Sequence, residues 1–158
     1  MRVFLGTLAG QTSPVPAFSP IVGAQIDLPA GDELALGIDP AFEHGILLDS
    51  GELSAQGQEV PEHALAYLAP GQRVLELVAG ERTVRALLIG GAPFGEKIVM
   101  WWNFIGRTHE EVVAFRDRWE ADVVAGTDAN GPFGHIDGYP GGPLPAPALP
   151  NVRLKPRE

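Results

Sequence analysis

The sequence predicts an all-β domain, an antiparallel sandwich or barrel followed by one amphipathic helix and an extended tail. Gly and Pro number 20 and 15 among 158 residues, which favours many turns and short elements over a helical bundle. Short apolar segments separated by turn residues fill positions 1–105, and one later segment has apolar residues at helical spacing. We expect a folded unit at 1–125, with its helix at 108–125, and an extended Pro/Gly-rich arm at 126–158.

Eight strands are predicted, at 2–8, 21–28, 33–38, 43–49, 63–68, 73–78, 83–89 and 97–104. Turn signals such as Pro29-Ala-Gly31 and Asp49-Ser-Gly51 separate them. Alternation in 97–104 would put Trp101 on one face, and Trp102 and Phe104 on the other. That strand is apolar on both faces, so we expect both to be covered.

The helix has a clear start signal at Thr108-His-Glu-Glu111. In this capping box the Thr108 hydroxyl accepts a backbone N–H and the Glu111 carboxylate reaches back toward the helix start. An apolar stripe at helical spacing follows and is expected to pack on a sheet: Val112, Phe115, Trp119 and Val123. The segment 126–158 cannot form a core of its own, so it is either a disordered tail or an arm lying on the domain or on a partner.

Charge and composition exclude several classes of function. The formal net charge is −9, and residues 1–72 contain one basic residue, Arg2, against nine acidic ones. Phosphate neutralisation dominates nucleic-acid affinity, so direct binding of DNA or RNA is not expected. Cysteine is absent, which excludes disulfides and thiol chemistry. No apolar stretch approaches the ~20 residues that cross a bilayer and no secretory signal is evident, so we expect a cytoplasmic protein without membrane contact.

Four histidines could ligate a metal: His44, His63, His109 and His135. A barrel metal site needs a His-x-His pair with a nearby Glu and a further His, so that alternate inward side chains converge on one ion. Glu43-His44 has no second His at that spacing, and two ligands from His44 and His63 would not make a catalytic site. The alternative is that both are partly buried strand histidines, while His109 faces solvent. We expect neither a catalytic residue nor a bound metal, with Glu43, His44 and His63 as the remaining candidates.

Trp101-Trp102 is the least ordinary local feature. If both lie on one strand they point to opposite faces, so at most one enters the interior. The other would lie under the helix or at an interface, where a large aromatic side chain buries much area. The interface candidates are therefore Trp101, Trp102, Phe104 and Trp119.

The segment 90–111 resembles the signature of pirin-like proteins, in the run GGAPFG, EKIVMWWNFIG, RTHEE. Further similarity extends upstream, in Leu5-Gly-Thr-Leu and Pro40-Ala-Phe-Glu-His-Gly, and downstream, in Gly138-Tyr-Pro-Gly-Gly. Pirins are bicupins, with two β-barrels in one chain, and the signature belongs to the C-terminal barrel and its helix. The resemblance therefore implies an antiparallel cupin-type β-barrel or jelly roll.

The resemblance also implies what this chain lacks. In the family, iron or another divalent metal is bound by three His and one Glu of the N-terminal barrel, and none of these ligands can be carried over to this sequence. Quercetin 2,3-dioxygenase activity, shown by some members, and the nuclear redox-sensing role of the animal protein both belong to the metal-bearing half.

The leading hypothesis is thus a metal-free structural or binding module that packs against a metal-bearing barrel and does not catalyse a reaction by itself. Its partnering surface would expose apolar side chains, so a homodimer or a complex with a metal-bearing N-terminal pirin-like barrel is expected. The alternative is an enzyme, part of a quercetinase-type dioxygenase completed by the missing barrel or by an improvised site. A third possibility is a fragment of a longer parent protein.

Overall fold

The computed structural model describes residues 1–127, 130–134 and 136–156. The chain forms two compact units, residues 1–94 and 95–158. In the described ranges the strands are β1 (Arg2–Leu5), β2 (Thr7–Leu8), β3 (Gln11–Thr12), β4 (Ile21–Leu28), β5 (Glu33–Gly37), β6 (Glu43–Ser50), β7 (Leu53–Ala55), β8 (Gln58–Val60), β9 (Leu65–Leu68), β10 (Val74–Ala79), β11 (Val84–Gly91), β12 (Val99–Trp101) and β13 (Phe104–Gly106). The helix α1 spans His109–Trp119 and continues as a π-helical turn over Glu120–Val124.

The first unit is an antiparallel sandwich. Its larger sheet has the order β1-β4-β11-β6-β9 and its smaller sheet the order β5-β10-β7-β8. Alternate residues of both sheets form one core. The largest fully buried side chains of this core are Ile26, Ile46, Leu48, Leu75, Leu77, Val84 and Leu88. Each contributes roughly 1.5–3 kcal/mol by leaving water, so the core holds the sheets together.

The predicted all-β class is confirmed, and the strand at 21–28 has the predicted bounds. The predicted strand 2–8 is interrupted at Gly6, which has a φ of 66° and where a Cβ would lie 2.0 Å from the carbonyl oxygen of Ile21. The predicted strand 63–68 begins only at Leu65, because His63 lies in a turn with a φ of 63°. A hairpin, β7–β8, was not predicted at all.

The predicted strand 97–104 is wrong, since a two-residue turn at Trp102-Asn103 divides it into the hairpin β12–β13. Trp101 pairs with Phe104 across this hairpin. The predicted alternation of faces fails for the same reason. Both tryptophans pack against one small core in the second unit, formed by Val99, Phe104, Val112 and Ala146.

The helix α1 begins as predicted. The Thr108 hydroxyl accepts a hydrogen bond from the Glu111 backbone N–H at 3.1 Å, and the Glu111 carboxylate accepts one from the Arg107 backbone N–H at 2.6 Å. Of the predicted stripe Val112 is fully buried, whereas Phe115 is exposed. The helix contacts the hairpin β12–β13 through this short stripe.

The described part of the segment 126–158, here called the arm, contacts α1. The Trp119 indole N–H donates to the carbonyl oxygen of Leu144 at 2.9 Å, and the Arg116 Nε–H donates to that of Pro147 at 2.9 Å. Further along, Arg153 forms a two-pronged ion pair with Glu110. These bonds satisfy backbone groups that a proline-rich segment cannot pair in a sheet.

Candidate functional site

The face of the larger sheet that points away from the core, here called the outer face, is apolar toward one end and carries the Arg85–Asp27 ion pair toward the other. Three of its side chains are largely exposed: Leu65 at 54%, Tyr67 at 63% and Ile89 at 46%. Leu47 and Leu87 extend the same face and are half-buried. Contiguous exposed apolar surface of this kind is typical of surfaces that contact another molecule.

Glycines form a groove in the outer face. The strand register places Gly23, Ile89, Gly45 and Tyr67 in one row across β4, β11, β6 and β9. Gly45 thus lacks a side chain between two exposed apolar ones, and Gly91, two residues along β11 from Ile89, lies between Ile21 and Glu43. The groove has a volume of about 460 Å³, with walls formed by Ile21, Leu65, Tyr67, Ile89 and Phe94. The outer face can therefore accept an apolar projection from another surface.

A polar pair borders the groove. The Tyr67 hydroxyl donates a hydrogen bond to the Glu43 carboxylate at 3.0 Å. This bond raises the pKa of Tyr67 above its ordinary value, because ionising the phenol would break it. The phenol therefore remains protonated and presents one oriented polar group at the edge of an apolar surface.

His44 lies beside this groove but belongs to the interior. It is only 3% exposed, lies on β6 between Leu68 of β9 and Gly90 of β11, and its ring centroid is 6.2 Å from that of Phe42. Burial lowers the pKa of His44, and the negative charge of Asp39 partly opposes that shift. The imidazole is thus held neutral in a close-packed place.

The structure does not bring His44 and His63 together. The His63 backbone N–H donates to the carbonyl oxygen of Leu48, four positions along β6 from His44, a separation of about 13 Å at ~3.3 Å per residue. Glu43 and His44 are consecutive strand residues, so their side chains point to opposite faces. The three candidates therefore do not fit one ion. Across residues 1–127, 130–134 and 136–156, no group of three or more His, Asp and Glu side chains is placed to hold a metal.

Of the remaining histidines, His109 lies in the second unit. His109 is half-buried and its Nδ1 accepts a hydrogen bond from the Leu154 backbone N–H at 3.2 Å, so the prediction that it faces solvent is wrong. The arm covers this ring, which sequence reasoning could not place. His135 lies outside the described residues.

The interface candidates of the sequence all lie in the second unit and contact one another. Phe104 is buried, with ring centroids 6.4 Å from Trp101 and 5.5 Å from Trp102. Trp119 packs against the same core and has an edge-to-face contact with Phe133 at 5.3 Å. Much of this aromatic surface is thus used inside the unit, and an interface role for these residues stays a prediction.

Sequence reasoning missed the residues of the outer face. The sequence predicts a strand at 63–68 but does not identify its partner strands, so Leu65 and Tyr67 cannot be joined to Ile89 from the sequence. The signal was present in the glycines at 45 and 91, which stand inside strands where glycine is unfavourable unless another backbone or a ligand approaches.

Solved structures of similar shape place the chain in the cupin class. The crystal structure of quercetin 2,3-dioxygenase from Acinetobacter baumannii matches with a TM-score of 0.78 and 31% identity, covering 96% of this chain and 48% of that one. A second Acinetobacter baumannii structure of the same description matches with a TM-score of 0.71 and 19% identity over 76% of this chain and 42% of the other, which supports the fold alone.

Sequence comparisons identify the family. The Pirin C-terminal cupin domain matches residues 23–124, and the chain belongs to the pirin family through this domain. A Pseudomonas aeruginosa protein named as a candidate quercetin 2,3-dioxygenase is 37% identical over 92% of this chain and 44% of its own length. A pirin-like protein of Caulobacter vibrioides is 28% identical over 76% of this chain and 40% of its own length. The chain spans less than half the length of these curated relatives.

Proposed function

We propose that this chain is a structural and binding module, a pirin-type C-terminal cupin barrel that packs its outer face against a metal-bearing barrel. The exposed apolar groove between Leu65, Tyr67 and Ile89 is the observation that carries the proposal. A lone domain would gain solubility from polar residues at these positions, whereas a docked one gains affinity from apolar residues.

Relative length supports this partner. The matched segment covers 44% of the Pseudomonas aeruginosa relative and 40% of the Caulobacter vibrioides relative. Each relative therefore has room for a further domain of similar size beside the matched one. The partner barrel would supply the metal ligands, and this chain would shape and shield the mouth of that site.

The experiment is a binding titration with a separately produced His-x-His pirin barrel, followed by light scattering. The wild-type chain should form a one-to-one complex, and Leu65→Ser combined with Ile89→Ser should weaken it about a hundredfold, since two apolar anchors are lost. A matched control is Val78→Ser, which changes an exposed apolar residue of the smaller sheet and should leave binding unchanged. If the chain stays monomeric at high concentration and does not bind the barrel, the proposal is contradicted. If it forms a homodimer through the same residues, the partner of the outer face is a second copy of this chain and not the metal-bearing barrel.

A second candidate function is a share in a quercetin 2,3-dioxygenase, favoured by the names of the Pseudomonas aeruginosa and Acinetobacter baumannii relatives. In this case the complex, and not this chain alone, should oxidise quercetin. Metal analysis separates the two functions. Stoichiometric iron, nickel or copper on this chain alone, lost in His44→Ala, would assign a metal site to it and overturn the module proposal.

The described residues include no helix that is both long enough and apolar enough to cross a membrane.

A further inference from the structure

We propose that the second unit holds a binding site for a planar aromatic small molecule that carries an N–H or O–H donor and no negative charge. The site is an open cavity of about 680 Å³, lined by described residues of α1 and its π-helical turn, of the turn of the hairpin β12–β13 and of the arm. Ligand cavities of proteins commonly measure about 300–1,000 Å³. The cavity is separate from the outer face and does not depend on the proposed docking function.

Aromatic rings form the walls of this cavity. Four of them line it: Trp102, Trp119, Phe133 and Tyr139. Tyr139 is 66% exposed and Phe133 is 43% exposed, so both rings keep free surface although Phe133 contacts Trp119 edge to face. Aromatic rings attract another ring by stacking or edge contact, and this preference selects a flat aromatic guest.

The ring of Trp119 is held in a fixed orientation. Its indole N–H donates to the carbonyl oxygen of Leu144 at 2.9 Å, and its plane is 88° from that of Phe133. An adjacent bond, from the Ala146 backbone N–H to the Glu120 carboxylate at 2.5 Å, holds the arm to the end of α1. The cavity wall is therefore preorganised, which reduces the entropy lost when a ligand binds.

Trp102 occupies a backbone conformation that does not suit it. Its φ is 49°, and it is the first of the two residues in the turn between β12 and β13. Hairpin turns with positive φ at this position prefer glycine, so a tryptophan here is under strain. Such strain persists where the side chain is needed, and this side chain lines the cavity.

The charge of the lining determines what kind of guest is accepted. Asp122 lines the cavity, its side chain is 18% exposed, and its carboxylate accepts a hydrogen bond from the Arg118 Nε–H at 3.1 Å. A carboxylate is an acceptor only, so it selects a guest with an N–H or O–H donor. It repels sulfonates, phosphates and carboxylates, as does the net charge of −9.

The experiment uses two dyes with the same aromatic skeleton. N-phenyl-1-naphthylamine is neutral and has an N–H donor, and 8-anilino-1-naphthalenesulfonate adds one negative charge. Calorimetric and dye-fluorescence titrations of the full chain should show one site per chain for the neutral dye, with about tenfold weaker binding of the sulfonate. Equal affinity for both dyes would overturn the assigned chemistry.

Two variants locate the site. Trp102→Gly removes the ring and favours the turn conformation, and Tyr139→Ala removes an exposed ring of the arm. Each variant should bind the neutral dye about tenfold more weakly than wild type. Asp122→Asn should narrow the difference in affinity between the neutral dye and the sulfonate. The control Val78→Ser changes an exposed apolar residue of the smaller sheet and should leave dye binding unchanged. Loss of binding in Leu65→Ser with retention in both ring variants would place the dye on the outer face and refute the proposal.

Discussion

Gly90 is placed where a larger residue has no room. It pairs with His44 on one side and Val22 on the other, and a Cβ at this position would lie 2.6 Å from the Glu43 carbonyl oxygen and 2.8 Å from His44 Cδ2. A backbone oxygen in a paired strand cannot move aside cheaply. We expect Gly90→Ala to lower the free energy of unfolding by about 1–3 kcal/mol in urea titrations.

Gly37→Ala is the matched control for this prediction. Gly37 ends β5, a Cβ there would meet nothing within 4 Å, and its φ lies outside the left-handed region. We expect its free energy of unfolding to stay within about 0.5 kcal/mol of wild type. Equal losses in both variants would show that the close approach at Gly90 is not what excludes alanine.

His44 should make the fold sensitive to mild acid. Burial lowers its folded-state pKa below the ordinary value of 6.5, so below that pH the unfolded chain binds the proton first. The neutral His44 therefore costs no stability above pH 6.5. As the pH falls from 6.5 toward the folded-state pKa, the free energy of unfolding decreases, in total by about 1.4 kcal/mol for each pH unit that separates the two pKa values. Melting temperatures between pH 7.5 and 5 should fall more steeply for wild type than for His44→Gln.

His63→Gln provides the comparison, because His63 is exposed in its turn and should leave the wild-type slope unchanged. A parallel slope in His44→Gln and wild type would contradict the assigned burial of a neutral imidazole. The two histidines also show what sequence could not decide. Both stood in apolar alternating segments, yet the turn at residues 61–64 removed one from its strand and strand pairing buried the other.

At the scale of the element, individual hydrogen bonds hold the arm to α1. Trp119→Phe keeps an aromatic ring but removes the donor to the Leu144 carbonyl. A net hydrogen bond contributes about 1 kcal/mol, so the backbone amides of Leu144 and Ala146 should exchange with deuterium about fivefold faster. Phe115→Leu changes an exposed ring on the same helix that has no hydrogen-bonding group, and its arm should exchange at the wild-type rate.

Elements whose ends carry a capping box or a proline could be predicted from the sequence. Elements whose bounds depend on strand pairing could not. The capping box at Thr108 predicts the start of α1 correctly, and both ends of β4, which lies between two prolines, match the predicted bounds. The β7–β8 hairpin was missed because three-residue strands are too short to show alternation, although its Gln56-Gly57 turn, with φ of 50° and 71°, follows a known hairpin geometry. The Trp102-Asn103 turn was missed because it lacks the expected glycine.

At the scale of the whole molecule, composition was sufficient for the fold class. Abundant Gly and Pro, short alternating segments and one capped helix predicted the all-β architecture that the structure confirms. The candidate site was less accessible. The outer face arises only when the register aligns Ile89 with Gly45 and Gly45 with Tyr67, and each belongs to a strand distant in sequence.

All three tryptophans, at positions 101, 102 and 119, lie in the second unit, whereas most strands lie in residues 1–94. Tryptophan fluorescence therefore reports on the second unit, because residues 1–94 contain no tryptophan. During heating, indole emission should report the helix, hairpin and arm alone, while far-ultraviolet dichroism follows mainly the sandwich. Superimposable melting curves would mean that both halves unfold as one cooperative body, and separated curves would give each half a midpoint of its own.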